Sequence, residues 1–353
     1  MSVSLQGRRI MLIGGGGFIG HNLALTLRKR GAAVQVVDGL QVNNMCSFLS
    51  SPSDNPDSDL YLNFIHERLR LLREADIPFI VQDVRDYHAL SKVVSNFKPQ
   101  VLVHLAAVAH ANRANKNPYS TFDHSTRTLE NALDVARDDV EHFIYFSSSM
   151  VYGNFAEAAV DETTVCEPLG IYGALKFGGE KLVIAYNQVF DMPYTIVRPS
   201  ALYGERCVSR RVIQVFVENA LKGEPITIMG DGSDQLDFTY IGDLVNGLTK
   251  VIENEKSRNQ IFNLTYGQGR SINEVAEIVR GEFPGLDVRH KERDRLMPER
   301  GALKVNKAKQ LLGYEPSFPI EIGVRRYIDW YRQLHNSAPQ LFARPDTHLR
   351  RVV

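Results

Sequence analysis

The chain has 353 residues, with 41 basic and 41 acidic side chains and therefore no net charge near neutral pH. This length can bury one large α/β domain and a smaller appended one, and the charge balance argues against general attraction to nucleic acid or membranes. The three cysteines show neither paired nor metal-binding spacing, which is typical of a reducing compartment. Residues 1–8 lack the apolar core of a signal peptide, and no apolar run is long enough to span a bilayer. We expect a cytoplasmic protein without a metal site.

The N-terminal segment has the pattern of a dinucleotide-binding turn. A strand-like run at 9–13 enters Gly14-Gly15-Gly16-Gly17-Phe18-Ile19-Gly20, and an amphipathic helix follows to residue 30. Glycine at 14 (or 15), 17 and 20 permits a tight turn and a close approach to a pyrophosphate, which the helix N-terminus attracts. The next strand ends at Asp38, whose carboxylate can accept both ribose hydroxyls, and no arginine follows to bind a 2′-phosphate. The segment favours NAD over NADP, with an ordinary glycine turn as the alternative.

Strand-like and helix-like patterns then alternate. Helices are predicted at 60–75, 86–96, about 119–137 and 172–190, and strands at 78–82, 100–107, 142–146 and 194–197. The run at 100–107 is continuously apolar, as expected for a strand covered on both faces. The alternation predicts a doubly wound parallel α/β sheet of the Rossmann type. Residues 46–59 are polar and rich in turn formers, which predicts a mobile loop.

A tyrosine and a lysine, Tyr172 and Lys176, share one face of the helix predicted at 172–190. The pKa of a free tyrosine is about 10, so a base acting at neutral pH needs roughly 4 kcal/mol of phenolate stabilisation. The lysine ammonium can help to supply it, and a hydroxyl from the serine run at 147–149 could bind the group that loses its proton. Taken alone, the spacing also fits the solvated face of an amphipathic helix.

These motifs resemble those of the extended short-chain dehydrogenases/reductases, in the NAD-dependent group of nucleotide-sugar epimerases and dehydratases that includes UDP-glucose 4-epimerase. The resemblance runs from about residue 9 to about residue 331. The matching segments are Gly14-x-x-Gly17-x-x-Gly20, Asp83-Val84-Arg85-Asp86, His104-Leu105-Ala106-Ala107, Ser148-Ser149-Met150-Val151-Tyr152-Gly153, Tyr172-x-x-x-Lys176, Arg198-Pro199-Ser200-Ala201-Leu202-Tyr203-Gly204, and Gly230-Asp231-Gly232 with Asp237-Phe238-Thr239-Tyr240 and Asp243.

The resemblance implies a set of site residues. Tyr172 takes the proton from a sugar hydroxyl, Lys176 lowers the tyrosine pKa and holds the nicotinamide ribose, and Ser148 is the catalytic hydroxyl, placed by counting back from Val151. Substrate contacts are implied for Ser148, Ser149 and Tyr172. Cofactor contacts are implied for Gly14, Gly17, Phe18, Ile19, Gly20, Asp38, Asp83, Val84, Leu105, Ala106, Ala107, Tyr172, Lys176 and Pro199.

Two positions separate the reactions of this group. Relatives that eliminate water usually carry an Asp-Glu pair directly after the catalytic hydroxyl, and decarboxylating relatives usually carry Glu there. This chain has Ser149 and Met150, neither of which titrates near neutrality. The resemblance therefore implies a nucleotide-sugar 4-epimerase that oxidises the sugar transiently and returns the hydride to the opposite face. A 4,6-dehydratase, a keto-sugar reductase and a non-catalytic NAD-binding protein are the alternatives.

The chain departs from the family where relatives hold the substrate diphosphate. Ala201 stands where relatives usually have Asn, and Leu236 stands where they often have Arg. We predict that Arg210 and Arg300 supply replacement contacts to a UDP-linked nucleoside diphosphate sugar, since Arg binds phosphates in a bidentate manner. A solvated helix start is the alternative interpretation of Arg210 and of the adjacent Arg211.

The predicted organisation has two parts. Residues 1–205, with a return segment at 241–268, form the NAD-binding domain. Residues 206–240 and 269–340 form a smaller C-terminal α/β substrate-binding lobe, and 341–353 form a tail that is a candidate for disorder. The helices at about 119–137 and 172–190 form a homodimer interface by resemblance, although their apolar stripes could equally pack on the sheet.

Overall fold

The computed structural model describes residues 2–49, 57–109, 111–293 and 297–342, excluding the side chains of 111–113. The strands are β1 (Arg9–Ile13), β2 (Ala33–Asp38), β3 (Phe79–Val81), β4 (Val101–His104), β5 (His142–Phe146), β6 (Ala159–Val160), β7 (Tyr194–Arg198), β8 (Leu202–Tyr203), β9 (Ile226–Met229), β10 (Gln235–Asp237), β11 (Thr239–Tyr240), β12 (Gln260–Asn263), β13 (Gly269–Ser271), β14 (Val288–Lys291) and β15 (Ala302–Leu303). The α-helices are α1 (Phe18–Lys29), α2 (Met45–Leu49), α3 (Ser58–Glu74), α4 (Tyr87–Phe97), α5 (Ala111–Lys116), α6 (Pro118–Phe122), α7 (Thr128–Ala136), α8 (Gly170–Phe190), α9 (Val212–Leu221), α10 (Ile241–Glu253), α11 (Ile272–Glu282), α12 (Asn306–Leu312) and α13 (Ile320–Ser337).

Seven parallel strands form the central sheet in the order β12-β7-β5-β4-β1-β2-β3. Alternate side chains of β1 point to opposite faces: Ile10 and Leu12 join a core with α1, α3 and α10, while Met11 and Ile13 join one with α4, α7 and α8. Both faces are therefore buried, and the predicted doubly wound parallel sheet is confirmed. The carboxyl ends of its strands all meet at one edge, where ligands bind in such folds.

The C-terminal half adds smaller elements next to this sheet. β9 pairs with β14 in parallel and β10 pairs with β13 antiparallel, and α9, α11 and α13 pack around them. Two short parallel pairs, β8–β11 and β6–β15, connect these elements to the segments that leave the central sheet. This is the smaller α/β portion expected from the sequence, and β12 closes the main sheet as its last strand.

The structure differs from the sequence predictions in two segments. The helix predicted at 119–137 is instead α6 and α7 joined by a π-helical segment, Asp123–Arg127. The mobile loop predicted at 46–59 is wrong at both ends, because α2 buries Phe48 and α3 begins at Ser58, and the residues between lie outside the described ranges. The predicted tail is described only to Phe342. Within the described ranges, no helix combines the length and apolar character required to cross a membrane.

Candidate active site

The glycine turn after β1 requires its glycines for steric reasons. Gly14 has a φ of +76°, and a Cβ there would lie 2.6 Å from the Ala106 nitrogen. A Cβ on Gly20 would lie 2.7 Å from the Gly15 carbonyl carbon. Only glycine at these two positions lets the turn pack against the loop after β4 and the first turn of α1. The N-terminus of α1 is thus left open to an anion such as a pyrophosphate.

Asp38 at the end of β2 is held beside this turn. Its Oδ2 accepts a hydrogen bond from the Gly16 N–H at 2.9 Å, and its Oδ1 accepts one from the Leu40 N–H at 2.7 Å. Burial raises the pKa of Asp38, and both N–H donors oppose that shift by stabilising the carboxylate. A buried carboxylate at the carboxyl edge of the sheet suits the ribose of NAD, so the residues present fit this cofactor.

One cleft joins the turn, Asp38, the loop after β4 and the start of α9. The predicted cofactor residues that line it are Gly14, Gly17, Phe18, Ile19, Gly20, Asp38, Asp83, Val84, Leu105, Ala106 and Ala107. The cleft is also lined by Gln41, His124 and Arg211, which were not in the predicted cofactor set. His124 lies in the π-helical segment. Such segments are frequent at functional sites, and the hydrophobic period of the sequence does not predict them.

Asp83, predicted to contact adenine, already has polar partners. Arg85 donates to its Oδ2 at 2.6 Å and Gln41 donates to it at 2.9 Å. The hydrogen bonds from Arg85 hold the pKa of this carboxyl well below its usual range. The Asp83 carboxylate is therefore fixed in its ionised form at the rim of the cleft.

The predicted catalytic residues come from β5 and α8. Ser148 follows the end of β5, and its Oγ accepts a hydrogen bond from the Met150 N–H at 3.2 Å. Tyr172 lies partly exposed in the first turn of α8, one turn before the buried Lys176. Pro199, predicted to contact the cofactor, is buried after β7, and its carbonyl accepts from the Ser149 N–H at 2.9 Å.

Lys176 has a defined environment. Its Nζ donates to the Phe146 carbonyl at 2.7 Å and lies 5.2 Å from the centroid of the Tyr145 ring. Burial lowers the pKa of Lys176 to about 8, and the charge of Glu180 opposes this shift. The ammonium is directed at a carbonyl of β5 rather than bonded to the Tyr172 phenol.

Arg210, which is predicted to contact the diphosphate, and its neighbour Arg211 have different partners. The Nη1 of Arg210 donates to Asp57 Oδ2 at 2.6 Å, so its guanidinium is engaged in an ion pair. Arg211 instead lines the cleft, and its Nη2 donates to the Ala109 carbonyl at 3.4 Å. The substrate contact of Arg210 stays a prediction, and the position of Arg211 in the cleft makes it a further candidate.

Arg300 is the second residue predicted to contact the diphosphate. Its Nε is buried and has no hydrogen-bond partner within the described ranges. Burial, together with the nearby charge of Arg211, lowers the pKa of Arg300 to about 10. Arg211 and Arg293 act on the Arg300 guanidinium with like charge, and Asp234 acts on it with opposite charge. The unpaired buried N–H makes Arg300 a candidate ligand for an anion.

The comparisons with known proteins agree with this geometry. The model of the NAD dependent epimerase/dehydratase family matches residues 10–265. A putative UDP-glucose 4-epimerase from Methanocaldococcus jannaschii is 29% identical over 92% of this chain and 98% of its own length. A dTDP-glucose 4,6-dehydratase from Xanthomonas campestris is 25% identical over 91% of this chain and 92% of its own. A Bacillus cereus UDP-glucuronic acid 4-epimerase crystallised with UDP-glucuronic acid and NAD shares the fold, with a TM-score of 0.81, 24% identity and coverage of 92% and 99%. With its glycine turn, buried Asp38 and Tyr172–Lys176 helix, the chain belongs to the NAD dependent epimerase/dehydratase family.

Proposed function

We propose that the protein is an NAD-dependent nucleotide-sugar 4-epimerase. The observation that carries this proposal is the pair Ser149 and Met150, which follows Ser148 in a short 3-10 helix, Ser149–Tyr152. Neither side chain can act as the acid or the base of an elimination near neutral pH. A site with the Tyr172–Lys176 pair and no carboxyl group at these two positions is suited to oxidising the sugar carbon and reducing it again.

The roles of the protein groups follow from their positions. Bound NAD would supply the electron acceptor and donor for the sugar carbon. Tyr172, in the first turn of α8, takes the proton of the sugar hydroxyl. It returns the proton when the hydride is returned to the opposite face of the keto-sugar. The Lys176 ammonium, which is held by the Phe146 carbonyl one helical turn after Tyr172, stabilises the phenolate by its positive charge. Ser148 Oγ binds the oxygen that changes between hydroxyl and carbonyl.

The substrate is a nucleoside diphosphate sugar, which we infer is UDP-linked. Arg300 and Arg211 provide the cationic pair for the diphosphate, in place of the side chains lost at Ala201 and Leu236. The ligand would lie between the NAD-binding domain and the smaller lobe, at the carboxyl edge of the sheet. The match to a relative named as a UDP-glucose 4-epimerase supports this choice.

We also propose a homodimer that pairs α6 and α8 with their copies. Large apolar side chains on these helices are exposed, and Tyr119 (85%) and Val189 (70%) are the most exposed of them. Phe122 on α6 and Phe190 on α8 are exposed as well. Exposed large apolar side chains on both helices support an interface between copies of the chain.

The test is incubation of the purified protein with UDP-glucose, UDP-galactose and UDP-glucuronate, followed by proton NMR. We expect one substrate to give its 4-epimer with no net NADH, and Tyr172→Phe to give none. A stable 4-keto-6-deoxy product would identify a dehydratase instead. NAD that copurifies without hydride exchange to any sugar nucleotide would favour a non-catalytic NAD-binding protein, and net NADPH consumption would favour a keto-sugar reductase.

A further inference from the structure

The carboxylate of Glu180 is buried next to the proposed catalytic pair, Tyr172 and Lys176. Glu180 is four residues after Lys176 on the same face of α8, and its side chain is 1% exposed. Its Oε1 accepts from Arg198 Nε at 2.9 Å, and its Oε2 accepts from Arg198 Nη2 at 2.7 Å. Glu180 cannot reach solvent, so any role it has in the reaction must act through these neighbours.

Glu180 also binds the strand end that carries the catalytic serine. The Ser147 hydroxyl donates to Glu180 Oε1, and the Phe146 carbonyl accepts from Lys176 Nζ. Successive residues of the segment 146–148 thus contact Lys176, contact Glu180 and supply the proposed catalytic hydroxyl. Two contacts one helical turn apart fix α8, which bears Tyr172, against this segment.

The surroundings of Lys176 contain little other charge. Tyr145 of β5 is buried, which raises the pKa of its phenol and keeps it neutral. His104 of β4 is also buried, which lowers its pKa to about 3 and keeps it neutral as well. Arg198 of β7 approaches Glu180 rather than Lys176, and Tyr172 lies one turn away on α8 itself. Among the residues that the structure describes, Glu180 is the carboxylate whose negative charge acts on the Lys176 ammonium.

We propose that Glu180 is a positioning residue for the epimerase reaction. It holds Ser147, and with it Ser148, against α8, and it supplies the negative charge that keeps the buried Lys176 ammonium protonated. The proposal rests on the proposed function for the roles of Tyr172, Lys176 and Ser148.

The test separates this role from simple structural support. Glu180→Gln keeps the shape of the side chain but leaves the Arg198 guanidinium buried without a counter-charge, which by itself can destabilise the fold. A second variant, Glu180→Gln with Arg198→Met, removes both charges, and such paired replacements are often tolerated. Ser147→Ala removes only the hydroxyl contact. Each full-length variant is compared with the wild type by thermal melting and by kcat and KM as functions of pH.

In the double variant we expect a melting temperature near that of the wild type and a kcat at least about 10-fold lower, with KM within about 2-fold. The alkaline limb of its kcat profile should move to lower pH, because Lys176 loses its proton more readily without the nearby carboxylate. The shift should be larger in Glu180→Gln, which keeps the charge of Arg198. Ser147→Ala should lower kcat without moving that limb. A double variant with the wild-type kcat and the wild-type pH profile would overturn the proposal and leave Glu180 a structural residue.

A second measurement keeps the inference separate from the proposed function. The Lys176 side chain is titrated by carbon NMR in the NAD-loaded protein, with Lys176→Met to assign its signal. A titration midpoint that falls in both Glu180 variants, and further in Glu180→Gln, supports Glu180 as the counter-charge even if no sugar nucleotide turns over. An unchanged midpoint refutes it even if epimerisation is observed.

Discussion

Two adjacent glycines of the catalytic helix should respond to the same substitution in opposite ways. A Cβ built on Gly178 meets no atom within 4 Å. A Cβ built on Gly179 would overlap the hydroxyl of Tyr145 and lie 2.7 Å from its Cζ and 3.1 Å from Leu129 Cδ2. Tyr145 and Leu129 are both buried in the core between α7, α8 and the sheet, so neither has open space into which it can move.

The magnitudes follow from two effects. Replacing glycine by alanine inside a helix stabilises it by about 1 kcal/mol, and this gain is the same at both positions. Overpacking of a filled core costs about 1–3 kcal/mol, and only Gly179→Ala incurs it. Gly178→Ala should therefore raise the free energy of unfolding above that of the wild type. The free energy of unfolding of Gly179→Ala should lie about 1–3 kcal/mol below that of Gly178→Ala.

Urea denaturation of both variants at one protein concentration measures this difference directly. Activity adds a second readout, because Gly179→Ala must move α8 away from β5 and so displace Lys176 from the Phe146 carbonyl. A displacement of about 1 Å in a catalytic group can cost about 100-fold in rate, so we expect a clear loss of kcat in this variant alone. Equal stability and equal kcat in the two variants would refute the close packing of α8 on Tyr145.

Three further predictions concern the ligand site. Arg300→Ala and Arg211→Ala should each raise the KM for the sugar nucleotide about 10-fold or more with a smaller change in kcat, whereas Arg210→Ala should leave KM nearly unchanged. A larger effect of Arg210→Ala in steady-state kinetics would contradict the choice of Arg211 over Arg210. Asp38→Asn should weaken NAD binding about 10-fold in calorimetric titrations and reduce discrimination against NADP, and unchanged affinity would remove Asp38 from the ribose site. Because the pKa of Asp83 is lower in the folded protein than in the unfolded chain, its ionised form stabilises the fold above about pH 4, and this contribution is lost as the pH falls further. Since the side chain is partly exposed, Asp83→Asn should lower the free energy of unfolding by about 1 kcal/mol at pH 7. The difference in urea midpoint between wild type and variant should narrow below pH 4.

Features that depend on near neighbours in the chain could be predicted from the residues alone. The glycine turn was predictable from the glycine spacing within residues 14–20, although the steric need for Gly14 also involves Ala106. Tyr172, Lys176 and Glu180 share a face because of the helical period. The doubly wound sheet was also predictable, because continuous apolar runs alternate with amphipathic segments. The departures at Ala201 and Leu236 were visible in the sequence, and they directed attention to arginines elsewhere.

Packing of helices on the sheet fixed which of several equivalent side chains meets a given partner. Arg210 and Arg211 are indistinguishable in sequence, but Arg210 has a φ of +49° and pairs with Asp57. Arg211 occupies the N-cap position of α9 and lines the cleft. Similarly, nothing in the sequence separates Gly178 from Gly179 or pairs Glu180 with Arg198. These contacts join residues that are far apart in the chain or on different faces of one helix. Their geometry depends on how helix and sheet pack together, which a local hydrophobic period does not encode.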